Sequence, residues 1–165
     1  MNLRLPVLAS AAVATVLMAV SARAEPPAPK DLKTVQACLQ TKGDRPANRE
    51  ACIGAVANPC IGKEEERASY DVIACFDREQ RVWDVLLNNA FAKLRGSLDD
   101  DQKTKLRDMQ RSWLESRERT CAFYYHYFQG TMANPMIANC NNRETARRAL
   151  FLLGFAEDIA DRKEQ

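Results

Sequence analysis

The sequence has 165 residues, of which 46% are hydrophobic and 28% are charged. This composition is typical of a globular protein and excludes a collagen-like, low-complexity or disordered chain. The 24 basic and 22 acidic residues nearly balance, which argues against binding to nucleic acid or anionic lipid through net charge.

The first 24 residues are typical of a cleaved secretory signal peptide. Arg4 precedes an apolar stretch over residues 5–20, and Ala22-Arg23-Ala24 supplies the small residues of a cleavage site. The apolar stretch is too short and too rich in alanine to favour a membrane span. We therefore expect a soluble protein of the periplasm or the secreted medium, with no stable membrane anchor after cleavage.

Residues 25–30 form a Pro-rich leader, and residues 31–67 predict a short helical hairpin followed by a connector that ends in a charge run. Each helical stretch places apolar residues and one cysteine on one face: Leu32, Val35, Cys38 and Leu39 in the first, and Cys52, Ile53 and Val56 in the second. Pro46 lies near the start of the second stretch, and Asn58-Pro59 is predicted to end it.

Residues 68–165 predict a larger helical domain. Its first long helix begins near Ser69 and stops at Gly96, with apolar residues at three- and four-residue steps. Asp99 to Asp101 place negative charge at the start of a second long helix, which continues to about Phe128. The joint apolar faces of these two helices, with Trp83 and Trp113 near their middles, are predicted to form the core.

After the second long helix, Gly130, Asn134 and Pro135 predict an irregular loop that extends to Cys140. Asn141 is then a candidate N-cap for a last helix, with Leu150, Leu153 and Phe155 on its apolar face. Since no segment shows the alternation of a strand, we predict an all-α fold. It consists of an antiparallel long-helix hairpin, a C-terminal helix and an N-terminal short helical hairpin.

All six cysteines follow the predicted cleavage site, which indicates an oxidising compartment and three disulfides. Six cysteines allow 15 pairings. The predicted turns favour three local pairs, namely Cys38–Cys52, Cys60–Cys75 and Cys121–Cys140.

The sequence contains little catalytic equipment. It has one histidine, His126, and lacks a nucleophile motif, a Cys-x-x-Cys pair and a Gly-rich phosphate loop. The run Asp99 to Asp101 lacks the spaced ligands of a calcium loop. We therefore expect no enzyme activity, no metal and no cofactor. Glu79 and Arg117 lie on or beside the apolar faces; a catalytic pair is conceivable, but an interhelical ion pair is favoured.

The segment from Cys121 to Cys140 is the candidate binding surface. Five aromatic residues occupy six positions, too many for one helix face to bury: Phe123, Tyr124, Tyr125, Tyr127 and Phe128. Either some of them face a partner, or they pack beneath the last helix and the loop merely connects. A loop held by a disulfide would bind with a reduced entropy cost. The candidate partner-binding residues are Tyr124, Tyr127, Gly130, Thr131 and Met132, and Arg143 is expected near the loop.

Spaced aromatic, charged and cysteine residues across roughly 68–152 resemble the LprI-type family, which is named for a lysozyme inhibitor. The residues that carry the resemblance are Cys75, Glu79, Trp83, Leu87-Asn88, Phe91, Leu94, Gln110-Arg111, Trp113, Arg117, Cys121, Gly130-Thr131, Cys140, Thr145 and Arg148. The earlier Cys38, Cys52-Ile53-Gly54 and Cys60 resemble an extension of some exported bacterial members. The chain lacks the lipidation cysteine of the named member and has Gln129-Gly130-Thr131 where a Gly-Gly-Ser-like turn is usual.

The resemblance implies a scaffold in which Trp83 and Trp113 are core residues and Glu79, Arg117 and Arg148 form one polar network. It also implies an exported binding protein, similar to a lysozyme inhibitor, that occludes the cleft of lysozyme or another cell-wall hydrolase. The alternative is an envelope structural or stress-related protein that binds another protein or a small ligand without inhibiting lysozyme.

Overall fold

The computed structural model describes residues 25–43, 46–62, 69–128 and 130–164. The predicted signal peptide, residues 44–45 of the first turn, the charged part of the connector and Gln129 lie outside them. Six α-helices are present in the described ranges, with 3-10 turns at Glu50–Cys52 and Gly130–Met132: α1 (Pro29–Lys42), α2 (Pro46–Arg49), α3 (Ala57–Ile61), α4 (Ser69–Ser97), α5 (Asp100–Phe128) and α6 (Ala133–Glu164). These ranges contain no strand, and the all-α fold class is confirmed.

The link between α4 and α5 consists of Leu98 and Asp99, which is short enough to reverse the chain direction. A reciprocal capping pair starts α5. The backbone N–H of Gln102 donates to Asp99 Oδ1 at 2.9 Å, and the backbone N–H of Asp99 donates to Gln102 Oε1 at 3.1 Å. This pair satisfies two amides at the helix start and explains why α5 begins where the acidic run predicts it.

The core lies between α4 and α6, and not between α4 and α5 as predicted. Trp83 and Leu152 are fully buried there, whereas α5 adds only Leu106 as a buried member and Met109 and Trp113 as half-buried ones. The face that α6 turns to α4 is rich in small residues, since Ala146, Ala149 and Ala156 are all buried. Small side chains let two helices approach closely. Phe155, predicted on this face, is instead exposed.

Helix α6 begins at Ala133, eight residues before the predicted N-cap at Asn141. The prediction of an irregular loop from Gly130 to Cys140 is therefore wrong. Pro135 is the third residue of α6, where a backbone N–H has no partner within the helix and its absence costs little. At 32 residues, α6 is the longest helix of the described chain and extends about 48 Å.

The N-terminal segment packs on the same core. Val35 of α1, Cys52 and Val56 belong to one buried cluster with α4 and α6. Arg78 of α4 donates two hydrogen bonds to the buried carboxylate of Asp31, both at 2.5 Å. The second predicted helical stretch is interrupted, because the backbone leaves helical geometry between Ile53 and Val56 before α3 begins. The boundary predicted between residues 67 and 68 lies outside the described residues.

All three predicted disulfides are confirmed, and no described cysteine is free. Their Cα–Cα separations are 5.8 Å for Cys38–Cys52, 5.7 Å for Cys60–Cys75 and 5.5 Å for Cys121–Cys140. These bonds indicate an oxidising compartment.

Candidate functional site

Glu79 of α4 is fully buried and accepts five hydrogen bonds. Its Oε1 accepts from the backbone N–H of Gly54 at 2.7 Å, Trp83 Nε1 at 2.9 Å and Asn142 Nδ2 at 3.1 Å. Its Oε2 accepts from the backbone N–H groups of Val56 at 2.8 Å and Ala57 at 2.7 Å. Every partner is a donor, which is the pattern that suits an ionised carboxylate.

This donor set explains why the helical stretch after Cys52 breaks. Three backbone amides within residues 54–57 turn toward one carboxylate, and Gly54 adopts a φ of 98° to allow it. Hydrogen bonds to a charged acceptor are stronger than those between neutral groups. Because both oxygens are occupied and the side chain is buried, the arrangement supports a structural role for Glu79 and not a catalytic one.

The predicted Glu79–Arg117 ion pair is wrong. Arg117 Nη1 donates to Thr145 Oγ1 at 2.8 Å, and the guanidinium lies 4.9 Å from the centre of the Trp113 ring. Its charge acts on Asp84, whose pKa is raised by burial and partly lowered again by Arg117. Glu79 instead accepts hydrogen bonds from the N-terminal segment, so the two side chains bind different partners.

Trp113 is half-buried, contacts the guanidinium groups of Arg117 and Arg148, and is not a core residue like Trp83. Arg148 lies 5.5 Å from the Trp113 ring centre and 5.1 Å from that of Phe151. Its Nε donates to Gln110 Oε1 at 2.9 Å, and burial lowers the pKa of its guanidinium. The residues predicted to form one network therefore form two separate clusters, one around Glu79 and one around Trp113.

The end of α5 and the turn after it expose an apolar surface, which we call the aromatic tip. Its members are more than half exposed: Phe123 (62%), Tyr125 (60%), Tyr127 (70%) and Met132 (59%). Among the predicted binding residues, Tyr127, Gly130, Thr131 and Met132 are exposed in this region, whereas Tyr124 is half-buried and stacks on Phe128 at 5.7 Å. Phe123 and Tyr125 were not selected from the sequence, although the same aromatic run contains them.

The aromatic tip rests on a fixed base. Cys121 and Cys140 are both buried and join α5 to α6 directly behind it. Within the tip, the rings of Phe123 and Tyr127 lie 6.3 Å apart, one helical turn from each other. Arg143 is not beside the turn as predicted, because residues 133–143 are helical and place it about 15 Å along α6.

The described residues contain no group of three or more His, Cys, Asp or Glu side chains that could hold a metal ion. Within the same part of the chain, none of the helices is both long and apolar enough to cross a membrane. His126 is exposed, and its ring makes an edge contact with Tyr125 at 5.9 Å.

Residues 60–152 match the family model described as lysozyme inhibitor LprI, over more than half of the chain. The chain belongs to the LprI lysozyme inhibitor family. No curated protein and no solved structure matches it. LprI is a family of inhibitors and not of catalysts, which fits the expectation of a non-enzymatic protein.

The LprI match covers only part of the Glu79 cluster. Glu79, Trp83 and Asn142 lie inside the matched range, whereas Gly54, Val56 and Ala57 lie before it. The aromatic tip lies entirely inside it. The segment before Cys60 thus lies outside the matched range, and its backbone amides hydrogen-bond to a carboxylate inside that range.

Proposed function

We propose that this chain is an exported, lysozyme inhibitor-like protein whose aromatic tip occludes the substrate cleft of lysozyme or another cell-wall hydrolase. Family membership supports the inhibitor class. The observation that carries the choice of surface is the exposure of Phe123, Tyr125, Tyr127 and Met132 together at one end of the bundle. Tyr127, the most exposed of the four, and Met132, in the turn after α5, are the residues that enter the cleft.

Exposed aromatic side chains support a role in binding. Large apolar side chains gathered at one surface are unfavourable in water and commonly mark an interaction site. Tyrosine is also enriched among the residues that dominate binding energy, since it offers a broad apolar face and a hydrogen-bonding tip. Phe123 and Tyr127 lie one helical turn apart on the same face of α5 and supply the anchor of an interface. Tyr125, two residues from each, extends the exposed aromatic surface to another face of the helix.

The rigidity of the aromatic tip also supports its role as the binding surface. Phe123, Tyr125 and Tyr127 lie on a helix, and Met132 directly precedes α6, so few backbone torsions remain to be fixed on binding. The Cys121–Cys140 disulfide further limits movement between the two helices. An inhibitor that is already ordered loses less conformational entropy when it binds.

Charge also favours this surface. Residues 121–132, which include every member of the aromatic tip, contain no aspartate or glutamate. Glycoside hydrolases such as lysozyme carry two carboxyl groups in the cleft. A surface without acidic side chains approaches such a cleft without like-charge repulsion.

The test is a titration of chicken-type and goose-type lysozymes with the oxidised protein, followed as lysis of a cell-wall suspension. Tyr127→Ala combined with Met132→Ala is expected to raise the inhibition constant at least tenfold, which corresponds to about 1.4 kcal/mol or more. The matched control is Leu114→Ala, an exposed apolar residue on the same helix about 20 Å from Tyr127. It should change the constant by less than twofold.

Two results would contradict the proposal at different levels. Unchanged inhibition by the double variant would show that another surface binds the enzyme. No inhibition by the unsubstituted protein at micromolar concentration would reject the function itself and favour an envelope protein with a different partner.

Removal of the Cys121–Cys140 disulfide provides a second test of the proposed binding surface. Replacing Cys121 and Cys140 by alanine should weaken inhibition by releasing the base of the aromatic tip. Replacing Cys38 and Cys52 removes a bond of similar loop length elsewhere in the chain. Both double variants are expected to lose about 3 kcal/mol of stability, so inhibition is compared at a temperature where both remain folded.

A further inference from the structure

A second surface lies at the opposite end of the bundle from the aromatic tip. Residues of α4, of the short α4–α5 link, of α5 and of α6 surround it. The surface is an open groove of about 380 Å³. Its lining residues are Leu94, Leu98, Gln102, Lys105, Leu106, Met109, Leu152, Phe155 and Ile159.

Apart from Gln102 and Lys105, the residues that line the groove are apolar. Leu94, Leu106 and Leu152 of the floor belong to the buried core, and Met109 and Ile159 are half-buried. Phe155 stands at the rim and is 47% exposed. Water in such a groove finds few hydrogen-bond partners, so an apolar ligand replaces it favourably.

Two polar residues of α5, Gln102 and Lys105, line the groove, and both present donors. Gln102 Oε1 already accepts the backbone N–H of Asp99 at 3.1 Å, which leaves its NH₂ group as the available polar function. The ammonium group of Lys105 can only donate. Of the residues that line this groove in the described chain, Lys105 is the only charged one. A ligand that satisfies both groups needs an acceptor, and preferably an anion, next to Gln102 and Lys105.

We propose that the groove binds the anion of an unbranched fatty acid. The acyl chain lies along Leu94, Leu106 and Leu152, and the carboxylate lies next to Lys105 and Gln102. Ligand sites commonly have volumes of roughly 300–1,000 Å³, so the groove suits one small ligand.

Acidic residues near the mouth limit the attraction. Asp100 is paired with Lys103 at 2.9 Å, and Asp99 caps α5. Asp101 is exposed and lies one helical turn before Lys105, so its charge opposes a bound carboxylate. Replacing Asp101 by asparagine should therefore strengthen binding.

Binding is measured with the whole oxidised protein through the fluorescence of dansyl-undecanoate, and dodecanoate is then added as a competitor below its micellar concentration. We expect displacement by dodecanoate and at least tenfold weaker displacement by dodecyltrimethylammonium, which has the same chain length and a positive head. Each methylene removed from the acid should weaken binding by about fourfold, the effect of burying one CH₂ group. Equal displacement by the two head groups would overturn the proposal.

Charge-reversal variants locate the site. Lys105→Glu should weaken dodecanoate binding at least tenfold, whereas Lys93→Glu, an exposed position outside the groove, should change it less than twofold. Phe155→Asp tests the apolar rim and should also weaken binding tenfold. Equal effects of the two lysine variants would contradict the assignment. Absence of binding together with a doubled mass in sedimentation would show that a second copy covers the groove, which also rejects it.

Discussion

The side-chain amide of Asn142 donates to Glu79 Oε1 at 3.1 Å and so joins α6 to α4 across 63 positions of sequence. This bond fixes the orientation of the amide, because only its NH₂ group can donate. Asn142 Oδ1 is left buried and finds no hydrogen-bond partner among the described residues. The cost of that unsatisfied oxygen is offset by the stability of the carboxylate that the NH₂ group helps to hold.

Glu79 thereby connects three parts of the chain. The N-terminal segment contributes backbone amides, α4 contributes Trp83, and α6 contributes Asn142. We expect the three parts to unfold together, because the separation of any one of them would leave the buried Glu79 carboxylate without some of its hydrogen-bond donors.

Glu79→Gln should destabilise the fold by at least about 3 kcal/mol. The new NH₂ group must replace one oxygen, and it then faces two or three N–H donors that can no longer be satisfied. Urea denaturation measures the change. Glu118→Gln, at an exposed position of α5, should remain within about 0.5 kcal/mol of the parent. A similar small effect at Glu79 would show that its hydrogen bonds contribute little.

Gly54→Ala should destabilise by about 2 kcal/mol or more, since the backbone has a φ of 98° and an added Cβ would lie 2.4 Å from Asn58 Nδ2. Combining it with Asn58→Ala should recover only part of the loss, because the backbone strain remains. Gly96→Ala provides the contrast. A Cβ there meets no atom within 4 Å, and helix propensity favours alanine by about 0.8–1.0 kcal/mol. Thermal unfolding of the three variants measures the order of their stabilities.

Trp83→Phe should destabilise more than Trp113→Phe. Trp83 is fully buried and donates to Glu79 Oε1, so its replacement leaves a cavity and removes a hydrogen bond to a charged group, for an expected cost of about 2–4 kcal/mol. Trp113 is half-buried beneath Arg117 and Arg148, and a phenyl ring retains part of that stacking. We expect a cost near 1 kcal/mol there. The reverse order in urea denaturation would show that Trp113 is the main core aromatic.

Acid should destabilise the docking of α1. The hydrogen-bonded Arg78 guanidinium holds the pKa of Asp31 below its usual 3.8. A carboxylate whose pKa is lowered in the folded state stabilises the fold above its unfolded pKa, and the contribution disappears as the pH falls through the folded value. Stability measured in urea should therefore decline below about pH 4.

The control for this pH dependence is the variant Asp31→Asn. It should be less stable than the parent near neutral pH and should lose less stability on acidification. Asp108→Asn, at an exposed site of α5, should keep the acid dependence of the parent. An unchanged decline in Asp31→Asn would assign the effect to other carboxyl groups.

Much of the fold could be predicted because local chemistry controls it. The apolar spacing gives α4 and α5, the acidic run at Asp99 gives the start of α5, and the turns give all three disulfides. The start of α6 was missed because Pro135 favours a loop in isolation but is tolerated in the first turn of a helix. The position of the core was also missed, since helix periodicity does not indicate which of two neighbours a face contacts.

The clusters around Glu79 and Trp113 could not be separated from the sequence. Glu79 and Arg117 have opposite charges and suitable spacing, which favours an ion pair. Glu79 binds backbone amides instead of Arg117. Because every residue except proline has a backbone N–H group, such a contact cannot be recognised from the types of the residues involved. The glycine at position 54 is a local indication that the helix breaks there, because glycine is common where the backbone must adopt a positive φ such as the observed 98°. The aromatic run, in contrast, could be located from residue density. Density does not indicate which rings face solvent, since Phe123 and Tyr125 are exposed whereas Tyr124 is half-buried.

The disulfide pattern has a consequence for biogenesis. The first cysteine pairs with the second, the third with the fourth and the fifth with the sixth, with separations of 14, 15 and 19 residues. A polypeptide that enters an oxidising compartment with its N-terminus first therefore meets the correct thiol each time as the next to arrive. Simple oxidation in order of arrival produces the native set, so the protein should mature in cells that lack a disulfide isomerase.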